Sequence, residues 1–386
     1  MTFLRIVFLC LLIAFTGAFL SYSPAPAIPE TAVDFLGQAT LPAGFSFKGT
    51  ELGGLSGITY DPNRHVYYAI ADDRSKKAPA RFYTLKINLK ESLKDGDVVP
   101  IDVTTLLDET NQPFAADSLD PEGIALTNKG TVFISSEGNA ERLIEPFIKE
   151  FSLSSGRQLQ TLTVPSKFLP TASRKRGIRN NLAFESLTIA PNQKYLFTAT
   201  ENALIQDGPG GTKSSSPLRI LQYNLQTCQL EQELLYIIQP VAAPLKFLGN
   251  LSSGLVDLLA LDDRGHFLSL ERSFNGLGYT IQVFDVYTEG ATDIRDIDSL
   301  SAVDISTIKP VHKQLLLDFR TLSKVTLDNI EGLTFGPQLP DGRQSLIVVS
   351  DNNFQSTQHT QILAIGINLT NIENHASIVN GGIKGL

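Results

Sequence analysis

Carboxylates recur at matched places along the 386 residues. Five segments can be laid over one another, each a short apolar run, a turn, and a second apolar run. The opening positions are Ser56, Glu122, Glu185, Asp257 and Glu331, and the closing positions are Asp73, Glu137, Glu201, Glu271 and Asp351. Nine of these ten are carboxylates, so if one element gathers them they repel one another and resist ionisation unless something compensates. A hard cation is the simplest compensation. Calcium takes about six to eight oxygen ligands and suits carboxylates together with backbone carbonyls. The competing reading is that each acid accepts hydrogen bonds from turn amides or a neighbouring arginine. The spacing is not that of an EF-hand loop, and no Cys/His pattern suggests zinc. The candidate metal ligands are Asp73, Glu122, Glu137, Glu185, Glu201, Glu271, Glu331 and Asp351.

Basic residues interrupt this acidic set. Arg74 follows Asp73, with Lys76, Lys77 and Arg81 close behind; Arg272 follows Glu271; and the loop from Arg174 to Arg179 runs into the third segment. Arginine forks bind phosphate and carboxylate well. Arg74, Arg81, Arg179 and Arg272 are therefore candidates to hold a substrate anion beside the metal, as a phosphoester site needs. Ion pairing with the acids themselves is the alternative. No catalytic nucleophile can be named. There is no G-x-S-x-G elbow, no P-loop or Rossmann fingerprint, and the five histidines form no cluster.

Each segment reads as a β-hairpin. Two β-prone runs flank turns such as Asp61-Pro62-Asn63 and Asn128-Lys129-Gly130. Successive starts lie about 63 to 74 residues apart, room for a four-stranded unit. Two further strands follow the second, third and fourth hairpins, but only Gln361–Gly366 follows the fifth. The missing outer strand can come from residues 32–41. The fold class predicted is therefore all-β: a β-propeller of five four-stranded blades, closed by the N-terminal strand. Six blades, or a β-sandwich, are the alternatives. In a propeller the first strand of each blade lines the central channel, which would set the acids around one mouth.

Composition narrows the class further. The formal charge is −8 with no basic stripe, which argues against nucleic acid as a partner. There is no Trp, which argues against WD-type repeats. Arg5, the apolar run Ile6–Leu20 and Ala25-Pro26-Ala27 have the pattern of a secretory signal, with cleavage expected after Ala27. The run is short for a membrane span, and Cys10 sits inside it, against a lipoprotein. Residues 1–27 then leave, 28–370 form the propeller and 371–386 a tail. Mature Cys228 has no intrachain partner. A monomer without stable membrane insertion, periplasmic or secreted, is expected.

The hairpins resemble the phytase-like domain family labelled "esterase-like activity of phytase". The resemblance is carried by Asp72-Asp73-Arg74-Ser75 with Ala80-Arg81-Phe82-Tyr83, Asp120-Pro121-Glu122-Gly123-Ile124, and Asn181-Leu182-Ala183-Phe184-Glu185-Ser186-Leu187. Leu270-Glu271-Arg272-Ser273-Phe274 and Asn329-Ile330-Glu331-Gly332-Leu333 complete it. More distantly, Glu122-Gly123 and Glu137-Gly138-Asn139 look like the strands of β-propeller phytases, although the D-A-x-D-D-P-A segment of those enzymes does not occur. The resemblance implies rim-bound calcium, a metal-activated water, and Arg/Lys contacts to phosphate. The function expected is an exported phosphoester hydrolase acting on a small-molecule phosphoester. A non-catalytic propeller that binds another anionic ligand or a partner, with structural calcium, is one alternative; a carboxylesterase is the other.

Overall fold

The computed structural model describes residues 33–210, 215–240, 251–322 and 325–369. The expected signal 1–27 and tail 371–386 lie outside the described residues. Five four-stranded antiparallel sheets are arranged in a ring. From the channel outwards, blade 1 comprises Leu55–Asp61, Val66–Ala71, Arg81–Ile87 and Val98–Thr105. Blade 2 comprises Pro121–Leu126, Thr131–Ser136, Phe147–Ser152 and Gln158–Leu162. Blade 3 comprises Phe184–Ile189, Tyr195–Thr200, Ser216–Asn224 and Gln229–Ile238. Blade 4 comprises Ser252–Ala260, His266–Phe274, Tyr279–Tyr287 and His312–Asp318.

Blade 5 takes Ile330–Gln338, Gln344–Ser350 and Thr360–Ile367 from the end of the chain and its outermost strand, Val33–Leu41, from the beginning. Val33 pairs with Ile367 and Leu41 with Thr360. The innermost strand of every blade packs against those of both neighbours, blade 5 meeting blade 1, so the ring closes at five rather than six. Closure leaves only short sheet edges unpaired.

Each sheet is covered on both faces, which explains why so many strands read as unbroken apolar runs. All of Val66–Ala71 is buried. Side chains alternate along a strand, so Tyr67, Ala69 and Ala71 pack toward blade 5, while Val66, Tyr68 and Ile70 pack toward blade 2. The other three blade junctions hold equivalent apolar layers. Each large side chain so buried contributes about 1.5–3 kcal/mol. These layers hold the innermost strands rigidly and leave their ends free to present polar groups to the channel.

Candidate functional site

Every innermost strand has a break in its ladder, at its start in blades 1, 2, 3 and 5 and after four pairs in blade 4. The register shifts between Leu55 and Gly57, Pro121 and Ile124, Phe184 and Ser186, Leu255 and Asp257, and Ile330 and Gly332. A bulge re-aims the extra residue's side chain and ends regular pairing. The bulged residues are Ser56, Glu122, Glu185, Val256 and Glu331. The glycine that follows three of them has a separate cause. A Cβ on Gly123 would lie 2.6 Å from the Glu185 carbonyl oxygen, and one on Gly57 2.6 Å from that of Glu122. The Glu-Gly pair thus combines a re-aimed acid with the close approach of the next blade.

The second strand supplies the partner position. Asp72, Glu137, Glu201 and Asp351 each donate a backbone N–H to the carbonyl just before the innermost strand, on Gly54, Asp120, Ala183 and Asn329. In blade 4 the residue paired with the matching Gly254 is Arg272. The ring is therefore Asp72 from blade 1, Asp120, Glu122 and Glu137 from blade 2, and Glu185 and Glu201 from blade 3. Arg272 comes from blade 4, and Glu331 and Asp351 from blade 5.

This corrects the sequence alignment by one residue at three places. Asp73 is not the ring residue of blade 1. It stays at the cavity wall with both oxygens taken, Oδ2 by Arg81 at 2.7 Å and by the Ala78 amide, Oδ1 by the Lys76 and Lys77 amides. Burial works against its ionisation, but Arg81 and these amides prevail and hold the carboxyl below its ordinary range. Glu271 turns away from the channel and accepts from Tyr236 Oη at 2.6 Å and from Lys313. Asp257, one step past the blade 4 bulge, spends its oxygens on the Leu258 and Leu333 amides, both at 2.8 Å. Because side chains alternate along a strand, a slip of one residue exchanges the channel for the wall. Asp72 and Asp120, absent from the sequence-derived ligand set, take the places that matter.

The ring is under electrostatic stress. Burial, then the charges of Asp72, Glu185, Asp120 and Glu137, push the Glu122 carboxyl well above its usual range. Burial and neighbouring acids do the same to Asp72, Glu137, Glu185 and Asp351. Glu331 is pushed up to about 7 by burial, although Arg272 opposes it. Asp72, Asp120 and Glu122 each offer an oxygen within 4.8 Å of the others, and so do Glu122, Glu137 and Glu185. Glu137 accepts the Ala183 amide on Oε1, but its buried Oε2 has no hydrogen-bond partner among the described residues. An orphaned carboxylate oxygen beside two other carboxylates is costly without a proton or a cation. The all-oxygen donor set fits a hard divalent ion of the calcium or magnesium kind.

Of these acids Asp72, Glu122, Glu185, Glu331 and Asp351 line a mouth cavity of about 500 Å³ that also takes Arg74, Lys76, Lys77, Tyr279 and Phe354. Arg74 Nε donates to Asp120 Oδ1 at 2.5 Å, and its Nη2 to Asn181 Oδ1 at 2.7 Å. Arg272 sits among the acids, on Glu201 at 2.9 Å and Glu331 at 2.8 Å. The other two predicted anion-holding arginines lie elsewhere. Arg81 is buried against Asp73, the Glu51 carbonyl and Tyr83. Arg179 donates to the carbonyls of Ala203 and Gly208 and lines a separate hollow of about 210 Å³ with Arg174 and Arg176. The channel's opposite mouth is larger, about 880 Å³, but Ile58, Ile124, Leu187, Leu258 and Leu333 line it and no acidic ring does. Of the two mouths, only the smaller is lined by acids of the ring.

Among solved structures, the chain is similar to an endo-arabinase from Bacteroides thetaiotaomicron. They share 13% identity over 87% of this chain and 97% of that one, with a TM-score of 0.43. The propeller of Dos1 overlays with 8% identity, covering 81% and 68%, at a TM-score of 0.34. The five-bladed ring rests on the strand pairing itself. In sequence, an uncharacterized secreted protein of Arthroderma benhamiae is 28% identical over 131 residues, which span 28% of this chain and 24% of that protein's length. The Phytase-like family model, described as "Esterase-like activity of phytase", matches residues 50–354, from the blade 1 approach to the last mouth loop. The chain belongs to the Phytase-like family.

Proposed function

We propose that this protein is an exported phosphoester hydrolase that depends on calcium bound at the acidic mouth. One observation carries the reading: two overlapping three-carboxylate groups, one with an unpartnered buried oxygen, reach through Asp72, Glu122 and Glu185 into a cavity also lined by Arg74, Lys76 and Lys77. Asp72, Asp120, Glu122, Glu137 and Glu185 would hold the ion, which when bound draws charge from a phosphoryl group and lowers the pKa of water. The chain's own residues do the rest. Asp120 and Asn181 fix the Arg74 guanidinium at the cavity wall, 27% exposed, where it can meet an anionic oxygen. Lys76 and Lys77 stand further out, about half exposed, and attract anions toward the mouth. Hydrolysis adds water across the ester P–O bond and releases phosphate and an alcohol. The ligand class is a small-molecule phosphoester.

Export is proposed from the signal-like first residues and from the Arthroderma benhamiae relative, which is named as secreted. No helix among the described residues is long and apolar enough to cross a membrane. Turnover of p-nitrophenyl phosphate and phytate, with calcium and with chelator, tests the activity. Turnover that needs calcium supports it, and none under any metal condition removes it.

A non-catalytic binding propeller is the second reading, favoured by one fact. Each cation at the mouth is already paired, Arg74 with Asp120, Lys76 with Asp117, Lys77 with Glu51 and Arg272 with Glu201 and Glu331. It expects thermal stabilisation by phytate without turnover. A Ser-His esterase has less support. Among the described residues no histidine lines the mouth cavity, and the Ser56 hydroxyl donates to the Glu122 carbonyl at 2.9 Å.

A further inference from the structure

Blade 4 breaks the pattern that the other blades keep. Where they bring acids to the ring, it brings Val256 at the bulge and Arg272 at the partner position. The Arg272 side chain, 13% exposed, bridges the two neighbouring blades, 3 and 5. Its Nη2 donates to Glu201 Oε1 at 2.9 Å, and its Nη1 meets Glu331 Oε1 at 2.8 Å and Asn329 Oδ1 at 2.5 Å. Asn329 Nδ2 donates to the same Glu331 oxygen at 2.9 Å, so that acid is held from two sides. Glu201 is boxed in as well, since a Cβ on Gly254 would fall 2.2 Å from its side chain.

The far arc of the ring is different. Glu122, Glu137 and Glu185 converge within 4.8 Å of one another, and among the described residues no lysine or arginine pairs with any of the three. The buried Glu137 Oε2 there has no hydrogen-bond partner among the described residues. Asp72, Asp120 and Glu122 adjoin them, with Arg74 on Asp120 alone.

We propose that Arg272 is a tethered cation standing where a metal ion would otherwise sit, so that divalent ions bind only along the arc from Asp72 to Glu185. The inference rests on the reading that the mouth binds a hard cation. A guanidinium that already bonds one oxygen each of Glu201 and Glu331 repels a second cation from the same pair and denies it those ligands. Arg272 thereby sets both the number of ions and the side of the channel on which they lie. The reacting end of a substrate would then lie over blades 1 to 3, on the side where Arg74 stands.

The test is calcium titration of the full chain after metal stripping, by calorimetry, with terbium luminescence sensitised by tyrosine as a second readout. The double variant Glu201→Gln/Glu331→Gln is expected to keep the wild-type number of ions, with affinity within about threefold. Glu137→Gln is expected to lose an ion or at least about tenfold in affinity. Arg272→Met is expected to bind one ion more than wild type. Loss of an ion in the Glu201/Glu331 double variant overturns the proposal, as does an unchanged count in Arg272→Met. If Arg272→Met does not fold, the double variant decides alone, because its glutamines keep the size and hydrogen bonding of the acids. Wild-type protein that takes up no calcium or terbium defeats the cation reading itself. That failure is distinct from wild-type binding with the wrong response in the variants.

Discussion

At blade 3 Arg219 pairs with Asp207 and Glu233, and Lys167 pairs with Glu233, two buried cations against two buried anions. Around the mouth, among the described residues, eight carboxylates have direct ion pairs only with Arg74 and Arg272, while Lys76 and Lys77 stand further out on Asp117 and Glu51. Both regions take charge out of water, and only the first balances it. Arg219 bonds both oxygens of Asp207, at 2.6 and 2.9 Å, and Glu233 at 2.8 Å, while Lys167 adds the Arg295 carbonyl at 2.5 Å. The quartet ties the connection after blade 4's third strand to blade 3 and needs nothing from outside. Among the described residues, the mouth has no matching set of cations. Its acids are raised by burial and by each other, which marks a site lacking positive charge.

The largest expected effect would break that contrast from the balanced side. Arg219→Met leaves Asp207 buried without a cation and Glu233 with Lys167 alone. Breaking a buried pair in this way costs about 3–5 kcal/mol, seen as a lower urea midpoint. The loss should be the same with calcium as with chelator, because the quartet lies away from the mouth. Rescue by calcium would show that the two systems are coupled and the contrast false.

Protons sharpen it from the other side. The ring carboxyls have folded-state pKa values above their unfolded ones, with Glu331 at about 7. Such groups add stability that is fully present below the unfolded pKa and is lost as pH rises through the folded pKa. In chelator, therefore, the melting temperature should fall as pH is taken from 5 to 8. Calcium replaces the departing protons, so its stabilisation should grow over the same interval. At pH 8 and one hundred times its dissociation constant it would contribute about 2.7 kcal/mol. A calcium effect that is equal at both pH values would mean that the ion binds outside the ring.

The fold was legible in the sequence because one hairpin recurs five times, and because a blade covered on both faces writes its strands as apolar runs such as Val66–Ala71. Even the pairing of Val33–Leu41 with Thr360–Ile367 could be read, since blade 5 lacked an outer strand. The mouth was legible only to within one residue. The acids Asp72 and Asp73 are adjacent, and blade 4 places Glu271 beside Arg272, so residue type could not say which of each pair faces the channel. The answer lies in the bulges, and a bulge has no residue signature beyond the glycine that follows it in blades 1, 2 and 5. In blades 3 and 4 Ser186 and Asp257 take that place, and the alignment slipped at Asp257.

The same one-residue difference gives the smallest and most discriminating prediction. Asp73 is held ionised by Arg81 and three amides, whereas burial and the charge of Asp120 push the Asp72 carboxyl well above its usual range. Asp73→Asn should destabilise the protein equally with and without calcium, through the loss of Arg81's partner, and leave calcium affinity alone. Asp72→Asn removes a repelling charge instead. In chelator at pH 8 it should gain about 1 kcal/mol, the scale of one unit of pKa shift, and it should weaken calcium binding. If the two variants behave alike, the channel does not separate a metal-facing acid from a wall acid, and the imbalance at the mouth is only apparent. Opposite signs in chelator would place the excess charge on Asp72 and its neighbours, one residue from where the aligned acids point.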